Sequence, residues 1–299
     1  MNKGINNHGA LAVFLSSMII FGTIGAFRRY IPVSSGTLAF FRGTLGALFL
    51  LAVLIFRKKS IKPKGGKKAM IMLIVSGALI GFNWILLFES YRYTTVATAT
   101  LCYYLAPTIV MIASPFILKE RMTLKKGVCT ALSLIGMVLV SGMLRSGLSG
   151  NGDIKGILFG LGAASFYAAI VMINRFIPQN EPLCSTFIQM TSASVTVLPY
   201  VLFSEDITSL PTDARSVILT VLLGIVHTGL AYTLYFASMS KLKAQTVAVF
   251  SYADPVTSLF LSVFLLHEEM TLFAFIGAVL IIGSAVFSVM GEQKSSSPN

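Results

Sequence analysis

Apolar runs long enough to cross a bilayer recur along the whole chain, and this constrains the fold more than any other feature. A membrane-spanning helix needs about 20 residues, within a range of about 17 to 25. Runs of that length cover residues 10–27, 36–56, 69–91, 95–118, 127–144, 154–174, 183–203, 217–238, 244–266 and 272–290. The gaps between them are short, so consecutive helices are expected to be antiparallel neighbours, and none is large enough for a soluble domain. The expected fold is therefore all-α and integral to the membrane, with ten transmembrane helices. The polar end GEQKSSSPN, residues 291–299, reads as a disordered tail.

Composition supports lipid as the solvent. Charged residues make up only 11% of the chain and hydrophobic ones 55%, with a mean hydropathy of +0.82. A soluble domain carries roughly 25% charged residues and needs them to cover its surface. The net charge is +12, but nucleic-acid binding would require an accessible basic patch. Here the cations sit in short gaps between apolar runs, so a nucleic-acid partner is not expected. Cys102, Cys129 and Cys184 lie inside apolar runs without metal-ligand spacing and read as small buried hydrophobes. The first run, ending at Arg28 and Arg29 without a small-residue cleavage site, reads as a retained helix rather than a signal peptide.

Basic residues orient the helices. With both termini cytoplasmic, sixteen of the 23 Lys and Arg residues fall on the cytoplasmic side and six on the other, with Arg42 inside a span. The excess favours that orientation.

Two stretches repeat. Residues 88–123, FESYRYTTVATATLCYYLAPTIVMIASPFILKERMT, align without gaps to residues 236–271, FASMSKLKAQTVAVFSYADPVTSLFLSVFLLHEEMT. Tyr104, Pro107, Glu120 and Thr123 match Tyr252, Pro255, Glu268 and Thr271 at a constant offset of 148 residues. Earlier, RRYIP at 28–32 resembles NRFIP at 174–178. The chain reads as two five-helix units, residues 1–147 and 148–290. Five is odd, so the second unit would enter the membrane from the opposite side. Such inverted repeats recur in secondary transporters, where the halves exchange conformations around a midplane site.

These residues resemble a known family. The Tyr- and Ala-rich stretch into Leu105-Ala106-Pro107, the run ending in Lys119-Glu120-Arg121, its second copy from Tyr252-Ala253-Asp254-Pro255 to His267-Glu268-Glu269, and Phe40-Phe41-Arg42 together resemble ten-helix members of the drug/metabolite transporter superfamily built from two EamA-like repeats. The resemblance covers nearly the whole chain. It implies cytoplasmic termini, a central cavity lined by both halves and solute transport, often export of amino acids or related metabolites. It also suggests a bacterial plasma or inner membrane. It does not fix the substrate. The second copy departs from the first in carrying Asp254 where the first has Ala106.

Ionisable groups inside a membrane are costly, at roughly 2.5 to 3.5 kcal/mol on an insertion scale, and are functional candidates for that reason. Asp254 sits near the middle of its run beside Pro255, where a kink is expected. It is the candidate for binding substrate and for coupling transport to a proton; an acid satisfied by a local hydrogen bond is the alternative. Ser251, Asp254, Ser258 and Ser262 share one helical face, as do Thr100, Tyr104 and Thr108, with Tyr103 beside them. Helix–helix hydrogen bonding would explain such stripes equally well. Asn83 and Trp84, the sole tryptophan, lie midway along the third run, and His227, Tyr232 and Tyr235 on the eighth. The expected substrate-binding set is Asn83, Trp84, Thr100, Tyr103, Tyr104, His227, Tyr232, Ser251, Tyr252 and Asp254. Arg42, about 9 Å into its span at 1.5 Å per residue, is expected to snorkel outward or to pair with Glu89 as an outer gate. Glu120 and Glu268 read as end-of-span structure. The glycines of GILFG, Gly156 and Gly160, would let helices approach closely.

No phosphate loop, catalytic triad order or zinc motif is present, so neither a cofactor nor a metal is expected. The partners expected are the lipid bilayer and a small solute, with the chain a monomer or homodimer. An intramembrane enzyme, using Asp254 and His227 as an acid–base pair, is a competing reading that leaves the repeat unexplained, and so is a non-transporting scaffold or receptor. The repeat favours a carrier over both, with passive facilitation or solute exchange without proton coupling as the alternative to a coupled exporter.

Overall fold

A computed structural model describes residues 7–28, 30–94, 96–140, 153–177, 181–205, 213–266 and 271–289. The tail at 291–299, Arg29, His267, Glu268, Glu269 and the join between the expected units at 147/148 lie outside them.

Over the described residues each of the ten apolar runs is helical, and no strand occurs. The helices are α1 (Asn7–Gly22), α2 (Ile24–Arg28), α3 (Ser35–Phe56), α4 (Gly66–Tyr93), α5 (Val96–Tyr103), α6 (Ala106–Ile117) and α7 (Leu124–Val140) in the first half. The second half holds α8 (Asp153–Phe176), α9 (Pro182–Ser204), α10 (Ala214–Met239), α11 (Ala244–Phe250), α12 (Ala253–Leu266) and α13 (Leu272–Val289). By length and apolarity α3, α4, α8, α9 and α10 can each cross a bilayer. Shorter apolar stretches lie at Gly9–Gly22, Ala106–Ile117 and Phe275–Ser284. Large apolar side chains point outward, including Phe56, Phe116 and Phe203 at 82–88% exposure. Water would penalise such a surface and hydrocarbon accepts it.

Three of the runs are broken. α1 stops at Gly22, α5 gives way to α6 at Tyr104-Leu105, and α11 gives way to α12 at Ser251-Tyr252. The last two breaks sit at the positions matched by the 148-residue repeat. A kink expected at Pro255 is instead a break three residues earlier. Pro107 is thus the second residue of α6 and Pro255 the third of α12. First-turn amides have no intrahelical acceptor, so proline's missing N–H costs nothing there.

Packing follows the repeat. α4 lies against α8 and α9, and the matching contacts in the other half put α10 against α1 and α3. α6 packs on α8 as α12 packs on α1, while α3 meets α9 and α7 meets α13 directly. The principal helix contacts thus run between the halves, not within them. Small residues permit the closest of these. A side chain on Gly156 would strike Thr94, and one on Gly160 would strike Cys102. The GILFG motif therefore seats α8 against the other half of the chain.

The ends of the halves are tied by glutamates. Glu205, just after α9, accepts hydrogen bonds from Ser34 and from the amides of Gly36 (3.0 Å) and Thr37 (2.8 Å), capping α3. Glu120, just after α6, accepts from the amides of Ala244 (3.0 Å) and Gln245 (3.3 Å) and pairs with Arg175 at 3.4 Å. This end-of-span glutamate thus caps α11, accepting from amides that have no intrahelical acceptor.

Candidate functional site

A cavity of about 460 Å³ opens beside the two chain breaks. Both halves wall it. From α3 come Ser35, Leu38, Ala39 and Arg42, a stripe at helical spacing. From α4 come Ile80, Asn83, Trp84, Leu87 and Tyr91 on one face. The breaks contribute Tyr103, Tyr104, Ser251 and Asp254, and α8 and α10 add Tyr167, Tyr232 and Tyr235.

The walls are largely aromatic. Tyr232 meets Phe21 at 4.9 Å and Trp84 at 6.2 Å between ring centroids, both edge to face. Tyr103 meets Tyr104 at 5.6 Å and Tyr167 at 6.0 Å. Hydroxyls link the far wall: Tyr167 bonds Tyr235 at 2.8 Å and Ser251 at 3.3 Å. These edge-to-face contacts are the favoured ring geometry and hold the walls in place.

Two ionisable groups face this space. Asp254 occupies the first turn of α12, where the helix dipole favours a negative charge. The Tyr104 hydroxyl, from the other half of the chain, lies beside the Asp254 carboxyl group. α1 runs directly over this turn: a side chain on Gly22 would lie 2.6 Å from the Asp254 carbonyl oxygen. Glycine is therefore required where α1 ends. Arg42 lies with its guanidinium 4.4 Å from the Trp84 ring centroid, and the Tyr232 hydroxyl lies beside it.

Several candidates fall where the sequence suggested. Asn83, Trp84, Thr100, Tyr103, Tyr104, Tyr232, Ser251 and Asp254 all line the cavity. Asn83 also has a structural bond, donating to the Ala163 carbonyl at 2.6 Å to join α4 to α8. Ser258 of the predicted stripe lines the cavity too, while nothing is described of the Ser262 side chain.

Others do not. Tyr252 has no exposed surface; its hydroxyl donates to the Tyr104 carbonyl at 3.1 Å and lies 3.5 Å from Thr108. It joins the breaks instead of facing the cavity. His227 is not among the lining residues. It sits in a π-helical stretch of α10, Leu223–Leu230, with Nε2 at 2.6 Å from the Thr23 hydroxyl and Phe27 packed on its ring. It anchors the interruption after α1. With His227 Nε2 engaged by Thr23, an Asp254–His227 pair is not among the described hydrogen bonds. The Arg42–Glu89 gate is absent as well. Glu89 takes Arg92 at 2.8 Å and the Tyr200 hydroxyl at 2.6 Å, while Arg42 turns inward to Trp84 and Tyr232 instead of snorkelling.

Tyr91 and Tyr167 line the cavity and were missed. The available signal was the same one that marked Tyr103 and Tyr232: a hydroxyl-bearing ring inside an apolar run.

Comparison with known proteins completes the picture. The EamA-like transporter family matches residues 8–142 and again 154–290. The chain belongs to this family, a branch of the drug/metabolite transporter superfamily. It is 27% identical over 290 residues to the uncharacterized transporter YxxF of Bacillus subtilis (strain 168), covering 95% of this chain and 90% of that one. It is 27% identical over 305 residues to the uncharacterized inner membrane transporter YicL of Salmonella typhimurium, covering 97% and 98%. A probable amino-acid metabolite efflux pump of the same organism is 30% identical over 191 residues, 60% of this chain and 63% of that protein. A crystal structure with 20% identity superposes with a TM-score of 0.79 over 94% of this chain and 97% of that one, which establishes a shared fold. This EamA-type protein is thus a multi-pass membrane transporter, and its two family matches fall either side of the same centre as the internal repeat.

Proposed function

We propose that this EamA-type transporter carries small amino-acid-like solutes outward through the described cavity by alternating access, with Asp254 as the proton-coupling group. The observation that carries the reading is the cavity itself. Residues of both halves wall it, and it lies beside two helix breaks that occupy repeat-related positions. Broken helices of this kind expose backbone and polar groups at membrane depth only where they line a cavity.

In this reading the chain crosses the membrane ten times as two inverted five-helix units, residues 1–147 and 148–290. The termini are cytoplasmic and the membrane is a bacterial inner membrane, with one or two copies forming the working unit. The aromatic walls bind apolar side chains of the solute. Asn83, Trp84, Thr100, Tyr103, Tyr104, Tyr232, Ser251 and Asp254 form the contact set. Proton release from Asp254 on one side of the membrane and uptake on the other would bias the direction of net movement. The relative named as a probable amino-acid metabolite efflux pump in Salmonella typhimurium supports this substrate class.

Counterflow in proteoliposomes tests this. Purified protein, loaded with unlabelled amino acid, is expected to draw in labelled amino acid without any ion gradient. An imposed pH gradient should then drive accumulation. Absence of exchange across a panel of aliphatic, aromatic and polar amino acids would remove the substrate class. Exchange without response to pH would leave an uncoupled exchanger.

A further inference from the structure

Arg42 has no carboxylate partner among the described residues. Its Nε atom is buried without a hydrogen-bond partner, although a guanidinium brings five donors in a planar fork. The partners it has are a neutral hydroxyl, Tyr232, and the face of Trp84. Carboxylates with described side chains lie elsewhere or have other partners: Glu89 has Arg92, Glu120 Arg175, Glu181 Lys59 and Glu205 Ser34 and Thr37. Asp213 caps α10 through Ser216, and Asp254 lies beside Tyr104. A charge deep in a membrane protein is expensive unless something pairs with it. Arg42 lies on the cavity stripe of α3, seven residues after Ser35 and about 10 Å along the helix. Arg42 thus lines the space that a solute would fill and carries hydrogen-bonding capacity that its described neighbours leave unused.

Resting on the transporter reading above, we propose that Arg42 is the anchor for a carboxylate on the transported solute, and so sets substrate class. A planar fork matches a carboxylate in two parallel hydrogen bonds. Trp84 packs against the guanidinium and restrains its plane. The same cavity holds Asp254 and no second cation among its lining residues. Polyanions such as organic phosphates are thereby disfavoured. The chemistry fits a monocarboxylate whose remainder is neutral or cationic, its apolar part lying against the tyrosine walls. Arg42 thus passes from the gating role suggested by sequence to a specificity-determining one.

Trp84 is the sole tryptophan of the chain, so its emission reports on this site directly. Purified protein is titrated with three matched pairs: leucine and leucinamide, phenylalanine and phenylalaninamide, isovalerate and isovaleramide. At least one acid is expected to change Trp84 emission at about tenfold lower concentration than its amide, since a charged hydrogen-bond acceptor is lost in the amide. Arg42→Gln should abolish that preference, and Arg42→Lys should retain it at reduced affinity. The proposal is overturned if no acid binds, if acids and amides bind alike in the wild type, or if Arg42→Gln keeps the preference. The wild-type comparison decides the question even where a variant fails to fold. Failure here is separable from failure of the transporter reading: counterflow of neutral or cationic solutes would leave transport standing without the anchor, whereas absence of all counterflow would remove transport itself.

Discussion

The two broken helices share a frame and differ in chemistry. Tyr104-Leu105-Ala106-Pro107 and Tyr252-Ala253-Asp254-Pro255 each end one short helix and begin another, with proline in the first turn of the second. The first break presents Tyr104 to the cavity. The second buries Tyr252 completely and spends its hydroxyl on the backbone carbonyl of Tyr104, 3.1 Å away. The acid belongs to the second alone. Duplication supplied matching scaffolds, and the functional groups then diverged, one tyrosine becoming a strut and the other a partner for a carboxylate. The breaks are also cross-linked: the second braces the first through Tyr252, and the first supports Asp254 through Tyr104.

The largest effect expected from breaking this asymmetry is loss of coupling. Asp254→Asn should reduce pH-driven accumulation at least about tenfold, the scale of removing an ionised partner in a hydrogen-bonded site, while counterflow persists. Equal loss of both would make Asp254 a binding or folding residue instead. A sharper version moves the acid to the other break. Ala106→Asp combined with Asp254→Ala is expected not to restore accumulation, because the tyrosine related by the repeat is buried and already committed. Restoration would mean that the two breaks are interchangeable.

Intermediate effects should separate the tyrosines. Tyr252→Phe removes the strut and leaves a backbone carbonyl short of a partner, at a cost of about 1–3 kcal/mol. The thermal midpoint in detergent should fall. Tyr104→Phe leaves the strut in place because Tyr252 bonds the backbone of residue 104. Its effect should appear in the pH profile of transport, with little change in midpoint. The opposite assignment of the two effects would reverse their roles.

Much of this was legible in the sequence, for identifiable reasons. Apolar run length gives the helices, and the fixed 148-residue offset gives the internal repeat, whose matched tyrosines lie at the two breaks. Asp254 stands out because charge inside an apolar run is rare. What escaped depends on helix rotation and partner choice. Whether Glu89 faces Arg42 or Arg92 turns on which side of α4 it occupies, and an i,i+3 neighbour is always close at hand. His227 looked like a site residue from its type, but a π-helical stretch, which apolar periodicity does not reveal, turns it toward Thr23. The kink expected at Pro255 lay three residues from the observed break because proline marks where a helix can restart, not where the preceding one stops.

The smallest expected effect lies at the glutamate ties, where the comparison extends from the breaks to the ends of the molecule. Glu205 lies outside the helical spans. Burial raises its pKa, but hydrogen bonds from Ser34, Thr37 and the Gly36 amide outweigh this and hold it below the ordinary glutamate value. A carboxyl of lowered folded-state pKa contributes its stability above the unfolded value and loses it as pH falls through the folded one. Wild-type protein should therefore lose thermal stability in detergent on acidification below that ordinary range. Glu205→Gln should start slightly less stable at neutral pH and show a flatter acid limb. Because Glu205 is partly exposed, solvent screening keeps the difference modest. Parallel acid limbs for the two proteins would show that the cap on α3 does not depend on the carboxylate charge.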